Sequence, residues 1–273
     1  AVIDEIAADA KDFDIIASVL KVDTNKITDA VAEFKLNIIR TQKGEELTQF
    51  NNALYQGQDP FISYHDGYYY FVSSSNDPSH NKMYVSKSKS LLDQGEKVRI
   101  FDFNDSKSRI FAPEMFFIDG KWYIYYCADA KEYNWRHMAC VMESVTDDPQ
   151  GDWIDRGVLY TGMEIKNPNE FAQGNDFTVF QYRGQLYACW GSMESGVESP
   201  AIARMESPTK ITEERSFLPG FGGEGPRAIV NGDHLFMTVS QGSFKTAGYH
   251  MGMYIFDTSK NDILNPDNWF YQE

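Results

Sequence analysis

Residues 59–73 read DPFISYHDGYYYFVS, and the same layout returns three more times along the chain. The other copies are APEMFFIDGKWYIYYC (112–127), DFTVFQYRGQLYACWG (176–191) and EGPRAIVNGDHLFMTVS (224–240). Each copy holds a short apolar strand, a turn that contains glycine, and a second strand rich in aromatic residues. The sequence therefore predicts four equivalent pairs of antiparallel β-strands.

A turn glycine marks the centre of each copy, and these glycines are 53, 64 and 48 residues apart. Three of the turns contain pairs that favour tight hairpins, namely Asp66-Gly67, Asp119-Gly120 and Asn231-Gly232. A repeat of this length with several strands in each unit is typical of a β-propeller blade. The pattern predicts an all-β fold with about four recognisable blades.

The first 47 residues differ from this pattern. In residues 1–22 apolar side chains recur every three or four positions, which predicts one face of a helix. Residues 27–47 fit either a helix or a strand. We therefore expect an N-terminal helical or irregular extension (1–47) followed by a propeller domain (48–273).

Charge and cysteine content exclude several classes of protein. The chain has 25 Lys and Arg against 40 Asp and Glu, a net charge of −15, which opposes binding to nucleic acid or to anionic membranes. No apolar run approaches the roughly 18 residues of a membrane span. Cys127, Cys140 and Cys189 are too few for a disulfide framework, so we expect buried free thiols.

Acidic residues occupy one place in three of the four copies. Asp59, Asp176 and Glu224 each precede the turn glycine by eight residues. In the remaining copy that position is Ala112, and Glu114 follows two residues later. Because the first strand of a propeller blade lines the central axis, three carboxylates are expected to converge at one end of the axis.

Carboxylates in such an arrangement suit the hydrolysis of a glycosidic bond. One carboxylic acid protonates the leaving oxygen, and a carboxylate acts on the opposite face of the sugar. In the inverting reaction the second group activates water, and the two carboxyls stand about 6.5–9.5 Å apart. A third acid near the donor would raise the pKa of the donor through like-charge repulsion.

The segments GQDPFISYHDGYYYF, RIFAPEMFFIDGKWYIYY, GNDFTVFQYRGQLYACWG and GEGPRAIVNGDHLFM resemble the blade motifs of family 43 glycoside hydrolases. The resemblance covers about residues 50–273 and implies a five-bladed β-propeller enzyme that acts on arabinose- or xylose-containing polysaccharides. ESVTDDPQGDW and ILNPDNW are most similar to the exo-α-1,5-L-arabinofuranosidase branch. The implied activity is the inverting release of L-arabinofuranose from α-linked arabinan or arabino-oligosaccharides.

The resemblance also implies roles for individual residues. Asp59 matches the general base, Glu224 the general acid, and Asp176 the acid that tunes and orients the donor. Phe111, Pro113, Glu114 and Trp135 fall where the family lines its sugar pocket, with simple packing in the blades as the alternative. Asn175 and Arg227 are two further candidate sugar contacts, and for Arg227 a surface salt bridge is the alternative.

The family has five blades, whereas the sequence contains four sets of motifs. No G-x-G-H-N segment follows Gly232, and His250 does not match the histidine of that segment, so we expect a propeller that is incomplete at its C-terminus. Three alternatives stay open: a β-xylosidase on the same scaffold, a carbohydrate-binding propeller without catalysis, and a protein-interaction platform.

Cofactor and location follow from the same resemblance. The chemistry requires no cofactor, although the family often binds an ion near the propeller axis, so a structural calcium or sodium ion is compatible with it. A polysaccharide substrate implies a secreted or periplasmic protein, and no signal peptide is visible in the sequence.

Overall fold

The computed structural model describes residues 55, 57–75, 77–161, 173–192, 199–219, 223–243 and 245–272. The chain separates into two units, Ala1–Gln56 and Gly57–Glu273, and the residues described here belong, apart from Tyr55, to the second. The helix expected in residues 1–22, the segment 27–47 and the boundary at residue 47 lie outside the described residues. No helix in the described part of the chain is both long and apolar enough to cross a membrane.

The described residues form β-strands almost throughout, joined by turns and two short 3₁₀ helices, Lys131–Tyr133 and Pro266–Asn268. The strands are β1 (Phe61–His65), β2 (Tyr68–Val72), β3 (Lys82–Ser88), β4 (Glu96–Asp102), β5 (Lys107–Ile118), β6 (Lys121–Ala130), β7 (Arg136–Ser144), β8 (Trp153–Val158), β9 (Gln173–Tyr182), β10 (Gln185–Ser192), β11 (Ser199–Ser207), β12 (Lys210–Phe217), β13 (Glu224–Asn231), β14 (His234–Gln241), β15 (His250–Phe256) and β16 (Trp269–Gln272).

These strands make four antiparallel meanders of four strands each. Strands β1–β4 form the first sheet and β13–β16 the last. Strands β5–β8 and β9–β12 form the second and third meanders, which share one continuous sheet through a parallel bridge between Met138 and Gln173. We refer to the four meanders in chain order as blades 1 to 4. The prediction of an all-β protein with four recognisable blades is confirmed for this part of the chain.

Strand β6 shows how the blades pack together, because it is apolar on both faces. Trp122, Ile124 and Tyr126 enter the core between blades 1 and 2. Tyr123 and Tyr125 alternate with them and enter the core between blades 2 and 3. Side chains of a strand point alternately to its two faces, so a continuous apolar run is what a strand between two packed neighbours requires. A third core joins blade 3 to blade 4.

The hairpin turns fix the end of each first strand. Asp66-Gly67, Asp119-Gly120 and Arg183-Gly184 have positive φ at both central residues, the geometry of a type I′ turn. In blade 4 Asn231 pairs with His234, so the two turn residues are Gly232 and Asp233. Only Gly232 of these two has a positive φ. The prediction of an Asn231-Gly232 turn was therefore wrong by one residue.

All three cysteines are buried free thiols, as predicted. They lie in strands β6, β7 and β10, whose residues fill the cores between blades.

Candidate active site

The first strand of each blade carries a residue in the left-handed backbone region at the end opposite the hairpin turn. In blades 1 to 3 this residue is Asp59 (φ 50°), Ala112 (φ 44°) and Asp176 (φ 48°), each eight residues before the second residue of the turn. Non-glycine residues are uncommon in this region, where aspartate is tolerated better than most. The repeated backbone kink is therefore a shared feature of the blades at this end.

Blade 4 follows the same rule with a shift of one residue. Counted from its turn, the equivalent position is Gly225, which has a φ of 59°. Glu224 lies one residue earlier, at the start of β13. The expectation that all three acids occupy equivalent positions was thus wrong for Glu224. The acid that lies one residue before the equivalent position is a glutamate, whose side chain is one methylene group longer than that of aspartate.

A cavity of about 220 Å³ lies where these kinks meet. Its walls come from all four blades, and the lining residues are Asp59, Pro60, Phe61, Ala112, Pro113, Glu114, Asp176, Gly225, Pro226, Ser240 and Tyr249. From this cavity the chain of each blade continues along the first strand towards the hairpin turn. The blade repeat therefore brings together side chains that are more than 160 residues apart in the sequence.

Asp59 is exposed at the mouth of this cavity. The hydroxyl of Ser74, two residues beyond β2, donates a hydrogen bond to its Oδ2 atom. Ser74 Oγ in turn accepts a hydrogen bond from the backbone N–H of Ala112, with an N–O distance of 2.9 Å. One serine therefore fixes the carboxylate of blade 1 against the kink of blade 2, while leaving the carboxylate open to water.

Asp176 has a more buried environment. Burial raises the pKa of its carboxyl to about 6, and the negative charges of Glu224 and Asp59 act in the same direction. The backbone N–H of Gly225 donates to Asp176 Oδ2 at 2.8 Å and partly opposes this shift. Asn175 Nδ2 lies 3.2 Å from the same oxygen. Asp176 therefore ties blade 3 to the peptide that carries Glu224.

Glu224 is half-buried and directly precedes Gly225 of the cavity wall, although Glu224 itself is not among the lining residues. Its Oε1 atom accepts a hydrogen bond of 2.9 Å from the hydroxyl of Tyr249, which precedes β15. The electrostatic effects on Asp176 and this contact show that the three acids predicted from the sequence are brought together at one site. Their individual roles stay predictions.

A layer of four side chains, which we call the floor, follows the kinks along the first strands, and two of its members, Phe61 and Glu114, line the cavity. Phe61, Glu114, Thr178 and Arg227 each lie two residues beyond the kink of their blade. Arg227 Nη1 donates to Glu114 Oε2, and Thr178 Oγ1 donates to the same oxygen at 2.5 Å. The guanidinium carbon of Arg227 lies 4.3 Å from the centre of the Phe61 ring. Glu114 and Arg227, predicted to contact the sugar, thus form an ion pair with each other, and Glu114 also lines the cavity.

The other predicted sugar contacts fall at three places. Pro113 is buried in the cavity wall. Phe111 packs against the His137 ring, with 5.7 Å between ring centres, and is not among the lining residues. Trp135 lies in the turn between β6 and β7 and is 47% exposed. Because the β6–β7 turn and the start of each first strand lie at the same end of the propeller, Trp135 is a candidate contact on the outer rim.

Sequence reasoning missed Ser74, Tyr249 and Thr178. Each contacts an acid that is at least 15 residues away in the chain. Ser74 stands within the serine run 73–75, and Tyr249 is one of 16 tyrosines, so neither position carried a local signal.

Within the described ranges, no group of three or more His, Cys, Asp or Glu side chains is arranged to hold a metal ion. These residues therefore offer no cluster of such side chains to the axial calcium or sodium ion that is compatible with the family resemblance. No step proposed below depends on a metal.

We expect Asp176→Asn to stabilise the protein at neutral pH. The folded-state pKa of about 6 exceeds the ordinary value of 3.8, so the folded form holds this proton more tightly than the unfolded chain. The stabilising contribution of the bound proton is complete below pH 4 and is lost as the pH rises to about 6. At 1.36 kcal/mol for each pKa unit, the variant should gain up to about 3 kcal/mol at pH 8 and little at pH 3.5.

Urea unfolding at both pH values measures this difference. Asp66→Asn is the matched control, because the Asp66 side chain is exposed in a turn at the other end of the same propeller. The free energy of unfolding of Asp176→Asn could instead differ from that of wild type by the same amount at both pH values. That result would contradict the burial of a titrating carboxyl.

Comparisons with known proteins agree with this geometry. The sequence pattern that defines glycosyl hydrolases family 43 matches residues 50–273. An extracellular exo-α-(1→5)-L-arabinofuranosidase of Streptomyces chartreusis is 30% identical over 239 residues, which cover 80% of this chain and 70% of that protein. An enzyme of the same name from Streptomyces avermitilis is 30% identical over 241 residues, covering 81% of this chain and 48% of the relative. The chain therefore spans about half the length of this second relative.

A comparison with solved structures also finds similarity to an arabinofuranosidase. The crystal structure of an α-L-arabinofuranosidase from Lactobacillus brevis superimposes with a TM-score of 0.69 and is 27% identical, covering 81% of this chain and 74% of the other. The family pattern extends over more than three quarters of the sequence and includes all three acids of the cavity. The chain belongs to family 43 of the glycosyl hydrolases.

Proposed function

We propose that this protein is an inverting glycoside hydrolase that releases L-arabinofuranose from α-linked arabinan or arabino-oligosaccharides. The observation that carries the proposal is the convergence of three acids at one site: Asp59 and Asp176 line a cavity built by four blades, and Glu224 lies beside them. Three mutually repelling carboxyls destabilise a fold, so a role in chemistry accounts for them better than packing does.

In the proposed reaction a single displacement occurs at the anomeric carbon. Asp59 accepts a proton from a water molecule, and the water oxygen forms the new bond to that carbon. Glu224 donates its proton to the glycosidic oxygen as the bond between carbon and oxygen breaks. The attack on one face and departure from the other invert the anomeric configuration. These steps use only side chains and water.

The surroundings of the two groups suit these different roles. Asp59 is exposed, so water reaches it, and Ser74 fixes its orientation. Glu224 lies close enough to Asp176 for its negative charge to raise the pKa of the Asp176 carboxyl. Asp176 also binds the Gly225 N–H and so holds the backbone beside the proposed donor. We propose that Asp176 orients the donor and tunes it, the role that the family resemblance implies.

The cavity supports action on terminal sugars. Its volume of about 220 Å³ is below the roughly 300–1,000 Å³ typical of pockets for drug-sized ligands. A pocket of this kind suits one monosaccharide. Pro113 and Asn175 would contact that sugar, and Phe111 and Trp135 the outer part of the substrate. The names of the two Streptomyces relatives support arabinose as the released sugar.

We also propose a secreted or periplasmic location, because both Streptomyces relatives are named extracellular enzymes and a polysaccharide substrate lies outside the cell.

A parallel digestion tests the substrate. The purified chain is incubated with linear α-1,5-arabino-oligosaccharides and, separately, with β-1,4-xylo-oligosaccharides, and the released monosaccharides are separated by anion-exchange chromatography. We expect arabinose from the first and little xylose from the second. Xylose alone would favour a β-xylosidase. Binding of either oligosaccharide without product would favour a propeller that has lost catalysis.

A further inference from the structure

Tyr249 is a cavity residue for which the reaction above has no role. It lies between β14 and β15 of blade 4, next to the first residue of β15. Its side chain is 39% exposed and lines the same cavity as Asp59 and Asp176. The phenol therefore stands where a substrate and the acids meet.

The contact between Tyr249 and Glu224 is specific. The Tyr249 hydroxyl donates to Glu224 Oε1 at 2.9 Å, an ordinary length for an O–H···O bond. Among the described residues, no other side chain forms a hydrogen bond with Glu224. Glu224 is the first residue of β13 and Tyr249 directly precedes β15, and β14 lies between these two strands.

The sheet fixes both ends of this contact. Glu224 pairs in register with Ser240, and Ser240 pairs with Met251, two residues beyond Tyr249. The Gly225 kink that follows Glu224 is held by Asp176. Burial raises the pKa of the Tyr249 phenol, a hydrogen bond with Ser240 opposes this rise, and the hydrogen bond to Glu224 adds to it, so Tyr249 keeps its proton and remains a donor at neutral pH.

We propose that Tyr249 is a positioning residue for Glu224: its hydroxyl holds one carboxyl oxygen of the proton donor, so that the other oxygen is free to protonate the leaving group. This inference rests on the proposed function, in which Glu224 is the general acid.

The chemistry predicts when this contact matters most. When Glu224 gives its proton to the glycosidic oxygen, the carboxyl becomes an anion, and a hydrogen bond to an anion is stronger than one to a neutral group. Tyr249 keeps its own proton throughout. The contact therefore stabilises the transition state more than the bound substrate, and its loss should lower kcat rather than raise KM.

The test compares Tyr249→Phe with wild type on two substrates. An arabino-oligosaccharide has a poor leaving group that requires protonation, whereas the nitrophenolate of 4-nitrophenyl α-L-arabinofuranoside leaves with little need of an acid. We expect kcat on arabinotriose to fall by about 10- to 100-fold with KM nearly unchanged, since general acid catalysis contributes about 10²–10⁴-fold in total. The rate on the nitrophenyl substrate should change less than about threefold.

Tyr64→Phe is the matched control, because Tyr64 is an exposed tyrosine of β1 towards the turn end. Equal losses of Tyr249→Phe on both substrates, a rise in KM alone, or no loss on arabinotriose would overturn the proposal.

A second measurement does not depend on activity. The ionisation of Tyr249 is followed by NMR of ring-¹³C tyrosine and assigned with Tyr249→Phe. In Glu224→Gln the charge that opposes phenol ionisation is gone, so the midpoint should move to lower pH. If wild type hydrolyses neither substrate, the proposed function fails, and this titration alone decides the contact. A midpoint that does not move in Glu224→Gln would overturn the inference.

Discussion

Replacing Asp59 with asparagine is expected to lower kcat on arabino-oligosaccharides by about 10²–10⁴-fold, the range typical of a lost general base. An amide cannot accept the proton of the attacking water. The fold should survive, because Asp59 is exposed and an asparagine oxygen still accepts the hydrogen bond of Ser74. Steady-state kinetics measure the loss, and urea unfolding checks the stability.

A nucleophile that attacks without losing a proton distinguishes a general base at Asp59 from a structural residue, because such a nucleophile needs no base. Azide should restore part of the activity of Asp59→Ala on the nitrophenyl substrate and give β-L-arabinofuranosyl azide. Asp66→Asn, an exposed aspartate in the turn of blade 1, is the control and should keep its rate. Wild-type kcat in Asp59→Asn would remove Asp59 from the mechanism.

Glu224→Gln is expected to produce a similar loss on arabinotriose, about 10²–10⁴-fold, because the glutamine amide does not supply the proton that the glycosidic oxygen needs. The loss on 4-nitrophenyl α-L-arabinofuranoside should be much smaller, since its leaving group departs as an anion. A larger loss on arabinotriose than on the nitrophenyl substrate therefore indicates that Glu224 acts as the general acid.

The control for this variant is Glu214→Gln, which changes an exposed glutamate on β12 that pairs with Arg204. Equal losses of Glu224→Gln on both substrates would assign Glu224 to binding or folding instead. The combination with Tyr249→Phe adds information: if Tyr249 acts through Glu224, the double variant should lose little more than Glu224→Gln alone.

Local signals made much of the fold predictable. The hairpin pairs Asp66-Gly67 and Asp119-Gly120 form the type I′ turns that their residues favour, and the strand β6 is buried on both faces as its apolar run requires. The four repeats then specified the blades. The fourth turn differs because glycine permits a positive φ at either central position, and Asn231 instead pairs with His234.

The repeat also located Asp59 and Asp176, because equivalent positions of blades meet at the axis, and it placed Glu224 within one residue of the equivalent position, Gly225. The hydrogen-bond partners of these acids could not be predicted from the sequence. Ser74 and Tyr249 contact the acids across a sheet or between blades, and these contacts depend on register and on the backbone kinks at Asp59 and Gly225. The ion pair of the floor could not be predicted either, because Arg227 and Glu114 are 113 residues apart in the chain.

In the proposed mechanism Asp59 activates water on one face of the sugar while Glu224 protonates the leaving oxygen on the other. Proton NMR of the first arabinose released from an α-1,5-linked arabino-oligosaccharide tests it most directly, because the anomeric signal is read before mutarotation. The inverting single displacement predicts β-L-arabinofuranose as the initial product. Initial release of the α-anomer would show retention through a double displacement and would contradict it.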